Sequence, residues 1–194
     1  MSKSALEGVH LKGQFGDYEN KDKKEILNIC EVKDLLIVQI VQYKNSSVSL
    51  ESVNIDNLRL NNEPLNVTSN DDTRILWIGP KNWLIVSVKK DLIKSISEIF
   101  EDKDFAVTDL SHSRAVFEIE GKNVKEVLKK GCPFDFDNLK KNNSVNSTYN
   151  GIVFMGDMLE ENPDKIRLFA LRSFGESFYH SITDSSLEYG YIAS

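Results

Sequence analysis

The feature that most constrains the fold of this chain is a set of short apolar runs rich in β-branched and aromatic residues. These runs occur in consecutive pairs. Residues 74–79 and 83–88 form one such couple, and the Gly-Pro-Lys-Asn sequence at 79–82 is typical of a tight hairpin connection. Runs of this length and composition predict strands. A short connection between two of them predicts antiparallel pairing.

Further couples of strands and several helical stretches repeat this arrangement along the chain. The other predicted strands are 26–31 with 35–43, 105–110 with 114–120, then 151–155 and 165–171. The first predicted helix is 45–58, with Ser46 or Ser47 as its cap, and the second follows Asp91 with Leu92, Ile96, Ile99 and Phe100 on one face. The third follows Gly121, with Val124, Val127 and Leu128 facing inward and Gly131 as its left-handed stop. The fourth is 175–189, with Phe178, Ile182 and Tyr189 facing inward.

The predicted fold class is therefore α+β, a mainly antiparallel sheet with covering helices in repeated strand-strand-helix units. The length of 194 residues is enough to bury a core without a metal or disulfide. We expect a single domain over residues 1–194, or two fused lobes of about 1–104 and 105–194.

The overall charge argues against nucleic-acid binding. The formal net charge is −6 and the sequence pI is about 5.2, whereas a nucleic-acid-binding face needs clustered Lys and Arg. The basic clusters, at 21–24 and 129–130, are short and are typical of solvated surface. The longest apolar runs, at 35–38 and 83–86, are far below the ~20 residues of a membrane-spanning helix. We expect no nucleic-acid partner and no membrane partner.

The two cysteines, Cys30 and Cys132, have no paired spacing, and the first residues contain no apolar stretch of signal-peptide length. Disulfides are rare in a reducing cytoplasm. The sequence therefore predicts a cytoplasmic protein with two free thiols.

No cofactor or metal motif stands out in the sequence. There is no Gly-x-Gly-x-x-Gly after a strand and no Gly-x-x-x-x-Gly-Lys-Ser/Thr phosphate loop. His10, His112 and His180 have no partner at the spacing of a helical zinc site. We predict no catalytic, cofactor-binding or metal-binding residue in this chain.

The densest polar stretch is 109–114, Asp-Leu-Ser-His-Ser-Arg. Its carboxylate, hydroxyls and imidazole could support general acid–base chemistry, but the same residue types are common in turns between strands, and the turn is favoured. Cys132 with His112 could form a nucleophilic pair. Cys132 lies between Gly131 and Pro133 without a third orienting group, which favours a buried structural thiol.

Five segments carry a resemblance to a known family from about Trp77 onward. They are Trp77-Ile78-Gly79-Pro80-Lys81-Asn82-Trp83-Leu84, Val107-Thr108-Asp109-Leu110-Ser111-His112-Ser113-Arg114, Gly121 through Val127-Leu128-Lys129-Lys130-Gly131-Cys132-Pro133-Phe134-Asp135, and Arg172-Ser173-Phe174 with Leu187-Glu188-Tyr189-Gly190. In order and spacing they resemble the gamma subunit of heterotetrameric sarcosine oxidase. The Asp-x-Ser-His-x-Arg sequence with Lys-Gly-Cys-Pro-x-Asp is the most specific part.

The resemblance implies a role in a complex that oxidises the N-methyl group of sarcosine. The alpha subunit would hold NAD and a folate-binding region, the beta subunit FAD and, with alpha, FMN, and the delta subunit zinc. This chain would have a fold like the folate-binding domain of the glycine-cleavage aminomethyltransferase and would bind none of these cofactors.

Two other functions remain open at this point. One is a folate-dependent one-carbon enzyme or a folate-binding iron–sulfur maintenance protein of the same fold. Aminomethyltransferases carry an acidic pair where this chain has Phe154 and Met155, and the maintenance proteins carry Lys-Gly-Cys-Tyr-Thr-Gly-Gln-Glu, of which only residues 130–132 match. The other is a stand-alone cysteine hydrolase using Cys132.

A subunit without catalytic residues contributes through its surface, and interface anchors are enriched in aromatic residues and Arg. Arg172 and Phe174 lie at a predicted strand-to-helix junction. Phe134 and Phe136 make the loop after residue 131 unusually aromatic for a turn. These four residues are the predicted interface anchors.

Overall fold

The computed structural model describes residues 4–19 and 21–194, and the chain divides there into two compact units. The terminal unit comprises the described residues up to Lys33 together with Ser113–Ser194, and the inserted unit is Asp34–His112. The division does not fall near residue 104, because the strand that begins at Phe105 pairs inside the inserted unit. The prediction of a single domain over 1–194 stays a prediction.

In chain order the strands are β1 (Gly13–Phe15), β2 (Leu27–Glu31), β3 (Leu36–Gln42), β4 (Asn54–Ile55), β5 (Leu58–Arg59), β6 (Val67–Ser69), β7 (Thr73–Gly79), β8 (Asn82–Ser87), β9 (Phe105–Asp109), β10 (Arg114–Glu120), β11 (Ser144–Tyr149), β12 (Ile152–Glu160), β13 (Lys165–Leu171) and β14 (Tyr191–Ala193). The α-helices are α1 (Leu92–Ile99), α2 (Val124–Lys129) and α3 (Gly175–Ser186), and 3₁₀ turns cover Leu50–Ser52, Phe136–Asn138 and Arg172–Phe174.

The terminal unit is a seven-stranded sheet in the order β1-β14-β2-β10-β13-β12-β11. Its pairs are antiparallel except β14 with β2. Alternate residues of β10, namely Ala115, Phe117 and Ile119, face the core that α2 and α3 complete. The residues between them in each strand line the other face of the sheet, because side chains alternate along a strand.

The inserted unit is a five-stranded sheet in the order β6-β7-β8-β3-β9, with a separate small hairpin, β4–β5. Its core contains Trp83, Ile96, Phe100 and Phe105, and the last two rings meet edge to face at 4.8 Å between centroids. Trp83 also donates its indole N–H to the backbone oxygen of Asn61 at 2.6 Å.

The sheets confirm the α+β fold class with mainly antiparallel pairing. The predicted hairpin is β7–β8, where Gly79 pairs with Asn82 and Lys81 has φ of 57°. Helix α2 buries Val124, Val127 and Leu128 as predicted. Helix α1 buries Leu92 and Ile96, but Ile99 is exposed, and Asp91 makes no side-chain cap bond.

In two of the predicted strand pairs, the two strands do not hydrogen-bond to each other. Strand β2 pairs with β10 and β14, whereas β3 pairs with β8 and β9. Likewise β9 pairs in the five-stranded sheet and β10 in the seven-stranded one. Hydrophobic periodicity predicts that a segment is a strand, but it does not predict which other strand that segment pairs with. Here the pairing strands are far apart in the sequence.

The predicted helix at 45–58 was wrong. The segment holds a 3₁₀ turn and then the β4–β5 hairpin, whose turn residues Asp56 and Asn57 both have positive φ, 50° and 65°. Two successive left-handed residues suit a two-residue hairpin loop, and Asp and Asn tolerate that conformation. Local turn chemistry therefore outweighed a weak helical period.

Gly131 does follow α2, but not as a left-handed stop. Its φ is not positive, and a Cβ placed on it would lie 2.6 Å from the Tyr149 ring. Glycine is needed there because the ring packs directly on the backbone. Helix α3 ends at Ser186, and Tyr189 packs against the core from beyond the helix.

Candidate functional site

The 109–114 stretch forms a hydrogen-bonded connection at the end of β9. The Asp109 carboxylate accepts the N–H of Ser111 at 2.9 Å and its hydroxyl at 2.6 Å, and these bonds hold the pKa of Asp109 below its usual range. Ser111 Oγ in turn accepts the N–H of Ile37 at 3.0 Å. His112 is exposed. These bonds are those of a turn, the interpretation that the residue types favoured.

The two thiols are placed as packing residues. Cys132 is buried in the terminal-unit core, and its backbone N–H donates a hydrogen bond to the backbone oxygen of Leu128. Cys30 is half-buried and lies opposite Glu118 in the β2–β10 register; burial first, and then the charge of Glu118, raise the pKa of Cys30. A thiol with a raised pKa is a poor nucleophile at neutral pH.

Phe154 and Met155 occupy opposite faces of β12. The Phe154 ring is buried and packs 5.4 Å from Phe178 between centroids, whereas Met155 is in register with Phe169 on the other face. Because consecutive strand residues point to opposite faces, this pair cannot converge on one ligand. Of the two positions where the resemblance expects carboxylates, that of Phe154 is filled by core packing and that of Met155 lies on the opposite face.

A charged cluster on the face away from the helices was missed by the sequence analysis. Glu118 of β10 accepts Nε and Nη2 of Arg167 at 2.9 and 2.8 Å, and Lys165 lies 3.0 Å from its other oxygen. Burial opposes ionisation of Glu118, but Arg167 and Lys165 outweigh it and hold the pKa of Glu118 below its usual range. The sequence signal for this cluster was the pair of acids at alternate positions of β10, Glu118 and Glu120, and the pair of bases at alternate positions of β13, Lys165 and Arg167.

The inserted unit holds a second polar cluster, around the β4–β5 turn. Asp56 accepts the Thr73 hydroxyl at 2.6 Å and Lys89 Nζ at 2.9 Å. The Thr73 bond, then the Lys89 bond, lowers the pKa of Asp56. The carboxylate is engaged by its own chain, so we assign this cluster to holding the turn.

Phe136 was wrongly predicted as an interface anchor. Its side chain is fully buried, because the 3₁₀ turn at 136–138 directs it into the terminal-unit core. Asp135 fixes this turn by accepting the N–H of Asp137 and the amide of Asn138 at 3.1 and 2.6 Å. Phe134 is partly buried and meets the Phe136 ring edge to face at 5.2 Å.

The other two predicted anchors lie together in the 3₁₀ turn after β13. Phe174 is 50% exposed, and Arg172, half-buried, donates its backbone N–H to Ser113 at 2.9 Å. Two more exposed apolar residues are close along the sheet: Leu171, the last residue of β13, and Val153 of β12. Exposed apolar side chains in a group mark interaction surfaces.

Two kinds of feature are absent from residues 4–19 and 21–194. No group of three or more His, Cys, Asp and Glu side chains is arranged to hold a metal ion. No helix within these ranges is both long and apolar enough to cross a membrane.

Two solved structures illustrate the fold likeness of this chain. The chain superposes on a chain of the heterotetrameric sarcosine oxidase from Corynebacterium sp. U-96, in complex with pyrrole 2-carboxylate, with a TM-score of 0.76 at 21% identity over 87% of both chains. It also superposes on the glycine cleavage system aminomethyltransferase T from Bartonella henselae with a TM-score of 0.58 at 10% identity, over 82% of this chain and 46% of that one. At these identities the likeness shows the fold.

Sequence comparison supplies the family. Sarcosine oxidase subunit gamma of Corynebacterium sp. (strain P-1) is 34% identical over 66 residues, which are 34% of this chain and 32% of that protein. Sarcosine oxidase subunit gamma of strain U-96 is 25% identical over 120 residues, 60% of this chain and 58% of that protein, so the matches span about a third and somewhat over half of these relatives. The model of the sarcosine oxidase, gamma subunit family matches residues 55–188. Because that match covers more than half of the chain, the chain belongs to the sarcosine oxidase, gamma subunit family.

Proposed function

We propose that this chain is a non-catalytic gamma-type subunit of a heterotetrameric sarcosine oxidase. In that complex it supports the oxidative demethylation of sarcosine to glycine, a reaction that the alpha, beta and delta subunits carry out. The family match over residues 55–188 is the observation that carries the proposal. The chain acts as a structural component of an oxidoreductase in the cytoplasm.

The polar groups of the chain support a structural role. Glu118 and Asp56, two carboxylates that are largely shielded from solvent, are both engaged by neighbouring side chains, and Cys132 is packed in a core. A catalytic acid or base needs an open position within hydrogen-bond reach of a substrate. In this proposal FAD, FMN, NAD, tetrahydrofolate and zinc are held by partner subunits and none by this chain.

The surface at the end of β13 supports a role in assembly. Phe174 and Arg172 remain the proposed anchors there, together with Leu171 and Val153, and Phe134 contributes from the loop after α2. Aromatic residues and Arg are enriched in the desolvated centres of interfaces.

Co-expression with the genes for the flavin-containing oxidase subunits tests the proposal. Affinity purification through a tag on this chain should recover those subunits, with flavin absorbance and sarcosine oxidase activity in the eluate. Recovery of the chain alone, with a fully active oxidase in the flow-through, would overturn the proposal. A wild-type chain that is well folded by circular dichroism is the required control.

A further inference from the structure

Arg114 carries a half-buried charge that has no counter-ion among the residues that the structure describes. Its Nη1 bonds only the backbone oxygen and hydroxyl of Ser113, at 3.4 and 3.3 Å. Across residues 4–19 and 21–194, no carboxylate lies within ion-pair distance of this guanidinium. Burial lowers the pKa of Arg114.

Arg167, on the same sheet face, has the carboxylate partner that Arg114 lacks among the described residues. Arg167 is paired at 2.8 Å with Glu118, whereas the Arg114 guanidinium has five N–H donors and only weak bonds to one serine. Removing a charge from water is unfavourable unless a partner compensates it. A half-buried, uncompensated guanidinium therefore marks a place where an outside carboxylate would be bound well.

The neighbours of Arg114 in the direction of β12 are apolar and exposed, whereas Val116, two residues along β10 on the same face, is buried. Arg114 is in register with Leu171 on β13, and because Phe154 pairs with Ala170, Val153 of β12 lies next across from Leu171. Leu171 is 45% exposed and Val153 is 69% exposed. Strand β12 lies inside the sheet, between β13 and β11, so the exposure of Val153 means that none of the described residues covers the sheet face at this position.

We propose that Arg114, Leu171 and Val153 form a docking face for a partner subunit. That subunit presents an Asp or Glu carboxylate to the guanidinium of Arg114 and apolar side chains to Leu171 and Val153. Adjacent strands are about 4.8 Å apart, so the carboxylate and the apolar group over Val153 are separated by about 10 Å on the partner. The inference rests on the proposed function, because it takes the partner from the oxidase complex.

A second copy of this chain fits the face poorly. A symmetric dimer through it would need a carboxylate beside Arg114, and the described part of the face offers none at that end. Glu118 is occupied by Arg167, and Glu120, at the far end of the seven-residue strand β10, lies about 20 Å away and 3.5 Å from Lys165. Charge complementarity therefore favours a different chain that carries the acid.

The test compares variants of the tagged chain in the co-expressed oxidase complex. Arg114→Met keeps the aliphatic stem and removes the charge, Arg114→Glu reverses the charge, and Val153→Asp adds a charge to the apolar part. Arg59→Glu is the matched control, because Arg59 is exposed on β5 of the inserted unit. Affinity for the purified partner subunits and the melting temperature of the isolated chain are measured for each.

We expect Arg114→Met to weaken binding about 30-fold or more, in the range for losing one member of a buried charged pair, and Arg114→Glu to weaken it further. The melting temperature of Arg114→Met should stay the same or rise, because the isolated chain loses an uncompensated charge. Arg59→Glu should assemble normally. An Asp→Lys or Glu→Lys change in the partner that restores binding of Arg114→Glu would identify the proposed carboxylate.

Three results would overturn this inference. One is normal binding by both Arg114 variants while the wild type assembles; this leaves the proposed function intact. A second is a clear fall in the melting temperature of Arg114→Met, which would make Arg114 a folding residue. The third is stabilisation of the isolated chain by acetate, lost in Arg114→Met, with assembly unchanged. Failure of the wild type to bind any oxidase subunit would instead refute the proposed function.

Discussion

Replacing Phe136 by Ala tests whether the loop after α2 is core or surface. The Phe136 ring is fully buried among core residues, and it meets Phe134 edge to face at 5.2 Å. Truncating a buried Phe to Ala typically lowers the free energy of unfolding by about 3–5 kcal/mol, through lost burial and the cavity that remains. Domains are stable by only about 5–15 kcal/mol. The variant should therefore lose about a fifth or more of its stability.

Urea denaturation followed by far-ultraviolet circular dichroism is the suitable assay. Both tryptophans of the chain, Trp77 and Trp83, lie in the inserted unit, so fluorescence alone would report the wrong part of the molecule. Phe174→Ala is the matched control, because its ring is 50% exposed and its loss should change stability by about 0.5 kcal/mol or less. A loss below about 1 kcal/mol for Phe136→Ala would refute the assignment of this ring to the core.

Two further changes test packing and charge in the terminal unit. Gly131→Ala should lower the free energy of unfolding by about 1–3 kcal/mol, because its Cβ would lie 2.6 Å from the Tyr149 ring; unchanged stability in urea would contradict that contact. Arg167→Gln should cost about 2 kcal/mol at pH 7, because Glu118 keeps only Lys165 as a charged partner. The lowered pKa of Glu118 gives the wild type stability that is present above the unfolded pKa, about 4.3, and is lost as the pH falls through the folded value. The difference between wild type and Arg167→Gln should therefore shrink below about pH 4, and a constant difference from pH 7 to pH 3 would contradict the ion pair.

Local signals in the sequence predicted the parts of the fold that depend on local chemistry. The β7–β8 hairpin follows from two apolar runs and the turn residues between them, and the inward residues of α2 follow from helical spacing. Strand β11, with the sequence Ser-Val-Asn-Ser-Thr-Tyr, was missed because most of its residues are polar. The partners of β2 and β3 were missed because they are set by contacts between residues far apart in the chain.

The candidate surface was predicted in part for the same reason. The composition of 133–136 and 172–174 pointed to aromatic anchors, but a sequence does not say which ring enters the core. The Asp135-capped turn buries Phe136, whereas the turn after β13 leaves Phe174 exposed. The Arg114 face could not be predicted, because its members come from strands brought side by side only by the sheet order.

Native mass spectrometry of the co-expressed oxidase tests the central claim most directly. The account predicts a complex that contains one copy of this 22.1 kDa chain with flavin-bearing partners, and a mass lower by 22.1 kDa when this chain is released. The released chain should carry no flavin mass and show no sarcosine oxidation. An intact, fully active oxidase whose mass never includes this chain would contradict the account.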